Sequence, residues 1–174
     1  MDNHYILQKI RQYFDGFVIS YEEPSGLLTI TVKPAVINDL ISYLKKEPEP
    51  GFNFLTDICG VHYPDQENEL GVVYHLHNMK NNMRIRIKTF VSKEYPKVPT
   101  ITWIYAAANW MERETYDFYG IEFEGHPNLK RILNVEYLDF FPMRKEYALE
   151  DPTREDKDNR YFVGNTKRVI WKKT

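Results

Sequence analysis

Met83-Arg84-Ile85-Arg86-Ile87-Lys88-Thr89-Phe90-Val91 is the stretch from which the fold can be read. Met83, Ile85, Ile87 and Thr89 fall on one side of an extended chain, and Arg84, Arg86 and Lys88 fall on the other. A period of two marks a strand with one face covered and one face solvated. Lys80-Asn81-Asn82 precedes it as a turn, because Asn tolerates left-handed backbone and bonds its own main chain. That turn joins it to the apolar run from Gly71 to His77, and Phe52 to Cys59 reads as another strand upstream.

Toward the N-terminus, the runs Phe17 to Tyr21 and Leu28 to Val32 flank Glu22-Glu23-Pro24-Ser25-Gly26, which predicts a second hairpin. Between the hairpins, Pro34 opens a helix, where its missing N–H is no loss. Val36, Ile37, Leu40, Ile41 and Leu44 form its apolar stripe, and it stops before Pro48 and Pro50. Residues 4–14 carry Tyr5, Ile6, Ile10 and Phe14 at helical spacing. Toward the C-terminus, Glu94-Tyr95-Pro96-Lys97-Val98-Pro99 is expected to break the sheet. A long helix is expected from about Ile101 to Tyr119, with Thr100 as N-cap.

The order α-β-β-α-β-β-β-α predicts an α+β domain over residues 1–120. It is a mixed or antiparallel sheet of about five strands with helices packed on it. Residues 121–174 differ in character: short apolar clusters lie among Pro, Gly and charges, and Asp151 to Arg160 is nearly all polar. Such a stretch cannot easily build a core of its own, so it is expected as an extended C-terminal tail, disordered or laid over another surface.

The 174 residues carry a net charge of −2, which gives no global pull toward nucleic acid. No apolar run approaches the roughly 18 residues of a membrane helix. Met1-Asp2-Asn3-His4-Tyr5 has neither a secretory nor a transit pattern, so the chain is expected to stay in the compartment where it is made. The single cysteine, Cys59, excludes an internal disulfide and falls far short of the about four thiolates of an iron–sulfur cluster. The 8 glycines are scattered without a phosphate-binding loop. Thirteen tyrosines suit either strand packing or a surface that buries against a partner.

The densest constellation is Trp110-Met111-Glu112-Arg113-Glu114-Thr115-Tyr116-Asp117-Phe118-Tyr119-Gly120. On a helix, Asn109, Arg113 and Asp117 share one face. An exposed Arg113–Asp117 pair would contribute at most about 0.2–0.5 kcal/mol, too little to explain the cluster. Two readings stand. The carboxylates act as acid and base, or a partly buried Arg–carboxylate network fixes the helix against the tail or a partner. No nucleophile, metal triad or phosphate loop accompanies them. His75 and His77 share a strand face, with His62 in the preceding loop. They read as a metal site or, more simply, as surface residues of a strand. Arg84, Arg86 and Lys88 read as a nucleic-acid stripe or as the solvated face of a half-buried sheet. His126, in Glu124-Gly125-His126-Pro127, sits in a turn with a conformational role.

Glu112-Arg113-Glu114-Thr115-Tyr116-Asp117-Phe118-Tyr119-Gly120-Ile121-Glu122-Phe123-Glu124-Gly125-His126-Pro127-Asn128-Leu129-Lys130-Arg131-Ile132-Leu133 resembles the signature of one family, the C subunits of proton-pumping NADH–quinone oxidoreductase, respiratory complex I. In that pattern E-R-E is followed by an acidic residue, apolar or aromatic residues, G-[IV], G-H-P, a basic residue and an apolar pair. Pro99 to Trp103, Ala107 to Trp110, Leu55 to Tyr63 and Pro142-Met143-Arg144-Lys145-Glu146-Tyr147 are similar to other family segments, so the resemblance spans about residues 50–150. The sequence departs at His62, where the family often has Asp, and at Asp139-Phe140-Phe141 before Pro142.

The resemblance implies a structural and assembly component of the complex's peripheral arm, with no catalytic centre of its own. Its C-terminal segment, residues 121–174, would wrap the quinone-site subunit (the D subunit of the complex), with the B and I subunits as further candidate partners. FMN and iron–sulfur clusters belong to the complex, and this chain would bind no cofactor, quinone or metal. Glu112, Arg113, Glu114, Asp117, Gly120, Gly125, His126, Pro127, Arg131, Arg144 and Lys145 would be structural or partner-facing. The chain would sit peripherally on the cytoplasmic side of the bacterial inner membrane, without inserting into it. The alternatives are the equivalent component of a membrane-bound nickel–iron hydrogenase, a freestanding acid–base enzyme using Glu112, Glu114 and Asp117, and a nucleic-acid module on Arg84–Lys88.

Overall fold

Ile85, Ile87, Thr89 and Val91 are all buried, and the strand that carries them is the middle strand of the sheet. The computed structural model describes residues 2–147. Its elements are α1 (Asn3–Phe14), β1 (Val18–Glu22), β2 (Leu28–Val32), α2 (Ile37–Lys46), β3 (Phe54–His62), β4 (Leu70–Asn78), β5 (Met83–Val91), β6 (Lys97–Pro99), α3 (Ala108–Tyr119) and β7 (Glu122–Glu124). One turn of 3-10 helix, Pro34–Val36, leads into α2.

The five-stranded sheet runs β1-β2-β5-β4-β3. β1/β2 and β3/β4/β5 are antiparallel, whereas β2 and β5 pair in parallel with Ile30 opposite Ile87, so the sheet is mixed. Strand alternation sends Leu28, Ile30 and Val32 of β2 and Leu70, Val72, Tyr74 and Leu76 of β4 into one core with Ile85 and Ile87. Ile6, Leu7 and Ile10 of α1 and Ile37, Leu40, Ile41 and Leu44 of α2 complete that core. Each such side chain contributes about 1.5–3 kcal/mol by leaving water. Asp2 caps α1 by accepting from the Tyr5 N–H at 2.8 Å.

Two expectations give way. The helix expected from Ile101 begins at Ala108, and residues 101–107 form irregular turns. Tertiary contacts divert this stretch: the Tyr105 hydroxyl donates to the Phe52 carbonyl at 2.5 Å, and the Lys45 ammonium bonds the Ile104 carbonyl. Thr100 is therefore no N-cap. The segment expected only to break the sheet holds β6, which pairs in parallel with β7 in a separate two-stranded sheet. Val98 and Phe123 at its centre, and Ile121 before it, are buried in the main core.

α3 runs along the edge strand β3, with the Tyr119 ring packed where a Cβ at Gly60 would stand. Beyond it, residues 125–147 contain no further helix or strand.

Candidate functional site

The E-R-E triplet of α3 is split three ways. Glu112 points inward and is fully buried. Its two oxygens accept from the Thr100 hydroxyl at 2.5 Å and the Ile101 N–H at 2.8 Å. Burial pushes its carboxyl up to about 7 against those two donors, and no cation among the described residues pairs with it to favour the charge. The unpartnered hydroxyl of Tyr74 is buried in the same core. Arg113 turns sideways and donates to the carbonyls of Lys130 and Arg131, both at 3.1 Å, while its guanidinium lies 5.3 Å from the Trp110 ring centre. Glu114 is exposed.

The pairing of Arg113 with Asp117 expected from their spacing does not form. Asp117 takes Arg131 instead, at 2.8 Å, with both side chains nearly or fully buried. Its other oxygen accepts three successive main-chain N–H groups, from Ile132, Leu133 and Asn134, at 3.0, 2.8 and 2.9 Å. The Asn134 amide adds a contact at 3.1 Å. Burial alone would raise this carboxyl. The Asn134 and Leu133 N–H groups, Arg131 and the Ile132 N–H outweigh it and hold Asp117 well below the usual carboxylate range. Three convergent N–H groups form an anion nest that an arginine four residues away could not offer.

The end of α3 is closed by the segment that follows it. The last four carbonyls of a helix have no partner within the helix. Here Tyr116 O accepts from the Gly120 N–H at 2.8 Å and Asp117 O from Arg131 at 2.9 Å. Phe118 O accepts from the Met143 N–H at 3.2 Å and Tyr119 O from Arg144 Nε at 2.7 Å. Arg131 also donates to the carbonyls of Leu138 and Phe140 at 2.7 and 3.0 Å. Gly120 ends the helix at φ +71°, and a Cβ there would collide with the Phe141 ring and the Arg144 guanidinium. Only glycine meets both demands.

The remaining expected residues spread around this centre. Gly125 turns the chain at φ +81°. His126 accepts the Asn128 N–H on Nδ1 and donates from Nε2 to Asn109 O at 3.2 Å, while Pro127 is exposed. Lys145 contributes its main-chain N–H, which donates to Nδ1 of His62 at 2.9 Å. His62 ends β3 rather than standing in a loop, and its ring is also 2.7 Å from Glu69. His75 accepts from Arg86 Nε at 2.9 Å and His77 lies 2.9 Å from Asn82. Among the described residues no cluster of three or more His, Cys, Asp or Glu is placed to hold a metal ion. The Arg84–Lys88 stripe is partly spent within the sheet, with Lys88 2.9 Å from Glu22 and Arg86 on His75. Cys59, Glu114 and Asp57 line a shallow cleft beside α3, and burial and then Asp57 push the Cys59 thiol up, away from nucleophilic character.

Sequence reasoning missed the Thr100–Glu112 bond and the His62–Lys145 bond, each of which joins residues far apart in the chain. The strand β7 was legible, since Ile121-Glu122-Phe123-Glu124 alternates. Outside the site, Trp110, Leu133, Val135 and Tyr137 expose 59, 65, 47 and 86% of their surface.

Residues 30–153 match the family described as "Respiratory-chain NADH dehydrogenase, 30 Kd subunit". The chain is 44% identical over 137 residues to the C 2 subunit of NADH-quinone oxidoreductase from Rhizobium meliloti (strain 1021), covering 78% of this chain and 74% of that protein. It is 40% identical over 149 residues to the C subunit of NADH-quinone oxidoreductase from Roseiflexus sp. (strain RS-1), covering 86% of each. Among solved structures, a trypsin-resistant fragment (1-134) of Nqo5 superposes with a TM-score of 0.63 at 33% identity, over 74% of this chain and all of that one. A chain of the membrane-bound sulfane sulfur reductase, an archaeal respiratory membrane complex, superposes with a TM-score of 0.70 at 25% identity, over 89% of this chain and 96% of that one.

Proposed function

The chain belongs to the family of the respiratory-chain NADH dehydrogenase 30 Kd subunit, and on that premise we propose that it is a structural component of NADH-quinone oxidoreductase with no catalytic centre of its own. The closure of α3 carries this reading. Every carboxylate of the signature that is buried is already committed: Asp117 to Arg131 and three N–H groups, Glu112 to Thr100 and Ile101. A general acid or base must reach a substrate, and these two cannot. Asp117 holds residues 131–134 against α3, and Glu112 ties the Thr100–Ile101 turn to it, leaving Trp110, Leu133, Val135 and Tyr137 outward. Exposed aromatic and aliphatic side chains on a fastened frame suit docking to a partner, here the quinone-site subunit, with the B and I subunits as further neighbours.

The segment expected to leave the domain at residue 121 leaves it only after β7, since Ile121 and Phe123 are buried in the main core. In this reading the residues beyond β7 form the arm that reaches the quinone-site subunit, and the expected wrapping by residues 148–174 lies outside the described residues. FMN, iron–sulfur clusters and quinone are held by other components of the complex. No helix among the described residues is long and apolar enough to cross a membrane. On the family premise, the chain would join the peripheral arm on the cytoplasmic side through protein contacts. The hydrogenase alternative carries less weight, because identity to the NADH-quinone oxidoreductase relatives is 40–44%.

The test is to replace Asp117 with Asn in the native organism's complex. Assembled complex on a native gel should fall several-fold, while NADH–quinone turnover per assembled complex stays near wild type. Full assembly with turnover down about a hundredfold would overturn the structural reading in favour of a catalytic one.

A further inference from the structure

His62 is enclosed, with 1% of its side chain exposed, and both ring nitrogens are engaged. Nε2 lies 2.7 Å from Glu69 Oε2, and Nδ1 lies 2.9 Å from the Lys145 main-chain N. A main-chain N–H can only donate, so Nδ1 is the bare nitrogen and Nε2 carries the proton, directed at Glu69. The neutral ring in this one tautomer ties the end of β3 to a residue 83 positions further along the chain.

A second carboxylate stands near the ring. Glu146 Oε2 stands 4.0 Å from Nδ1, and the other oxygen of Glu146 is held by Lys93 at 2.8 Å. Burial would raise the Glu146 carboxyl, but the bond to Lys93 and the charges of Lys93 and Arg144 outweigh it, so Glu146 stays ionised. Arg144 is committed to Tyr119 O and the Phe141 ring, and the Lys145 side chain is exposed. A proton arriving on Nδ1 turns the acceptor for the Lys145 N–H into a second donor. The nearest acceptor for that new N–H is Glu146.

We infer that His62 is a proton-operated latch on the C-terminal segment: neutral, it holds the Lys145 main chain; charged, it releases that bond and takes the Glu146 carboxylate instead. Glu69 remains on Nε2 in both states, so the ring keeps its place while the segment changes its attachment. Since Met143 and Arg144 close the last carbonyls of α3, acid reaches the helix end through this residue. The inference concerns contacts within this chain and does not depend on the assembly reading.

The test uses the full chain labelled with 15N, titrated from about pH 8 to about pH 5, where a histidine switch operates. In the wild type, the His62 ring signals and the Lys145 amide signal should move with one midpoint. Lys145 exchange, corrected for its intrinsic pH dependence, should quicken about tenfold as the ring charges, the effect of one lost hydrogen bond. His62→Asn places a non-titrating oxygen near the Nδ1 position, so Lys145 should stay protected across the whole range. Three results would overturn the latch: a ring that stays neutral throughout, a Lys145 amide indifferent to the ring's titration, or a wild-type pH response in His62→Asn. If that variant fails to fold, the wild-type titration decides alone.

Discussion

The helix-covered core of the sheet and the closure of α3 are held by different forces. In the first, Ile6, Ile10, Leu40, Ile41 and Leu44 meet Ile30, Leu76, Ile85 and Ile87, and nothing but apolar surface is exchanged. In the second, Asp117, Arg131, Arg144 and the N–H groups of residues 132–134 and 143 meet through directed bonds. Apolar burial is non-directional and tolerates swaps of similar volume. A buried polar network works only if each member is present, and losing one leaves the others unpaired in a poor solvent for charge. The sheet should therefore fail as a whole and gradually, and the closure locally and sharply.

The largest effect is expected from Asp117→Ala. It strands the Arg131 guanidinium and three N–H groups, at about 3–5 kcal/mol. Hydrogen exchange should show residues 131–147 losing protection while the amides of β4 and β5 keep theirs. Simultaneous loss in both would mean that the two regions are one cooperative unit, and the contrast would break. Ile41→Ala, at about 2–5 kcal/mol, should lower the melting temperature with every amide of the sheet and the closure affected together.

pH separates the regions in a third way. Glu112 titrates at about 7 when folded against an ordinary 4.5, so the folded chain takes up a proton the unfolded chain does not hold. Stability from this group is complete below 4.5 and is lost as pH rises through about 7. His75 and His126 are both held below their ordinary 6.5, chiefly by burial, so their contribution is present above that value and is lost as pH falls. Between 4.5 and about 7 the Glu112 and histidine contributions therefore run in opposite directions. Glu112→Gln should gain on the order of 1–3 kcal/mol relative to wild type on the alkaline side and little on the acid side. Denaturant midpoints at two pH values measure it; an equal effect at both would show that Glu112 does not titrate in this window.

Arg113→Ala is expected to have the smallest effect. The side chain is half-buried and bonds two carbonyls, with no carboxylate partner among the described residues. The expected loss is about 1–2 kcal/mol, with assembled complex reduced less than by Arg131→Ala. A native gel comparing the two sharpens the contrast. Equal loss would mean that Arg113 meets a carboxylate supplied from elsewhere.

Much of this is legible in the sequence alone. The alternation in Met83–Val91 identified a half-buried strand, and Val36 to Leu44 identified the inner face of α2, because side-chain direction follows local backbone period. The family signature in residues 112–133 was equally plain. Less legible were the start of α3, which Tyr105 and Lys45 delay by their bonds to Phe52 and Ile104, and β6, hidden by Pro99 within it and Pro96 just before it.

By itself the sequence determined where the strands of the main sheet and the first two helices form, which face of each is buried, and to which family the chain belongs. These properties rest on patterns a few residues long. Only the tertiary structure decided which charges meet. Helical spacing offered Asp117 to Arg113, but the chain brings back Arg131 together with three main-chain N–H groups, and five bonds to one carboxylate outweigh a single exposed pair. The partner of Glu112 and the acceptor for the Lys145 N–H were settled in the same way, by groups 12 and 83 residues distant that no local pattern brings together.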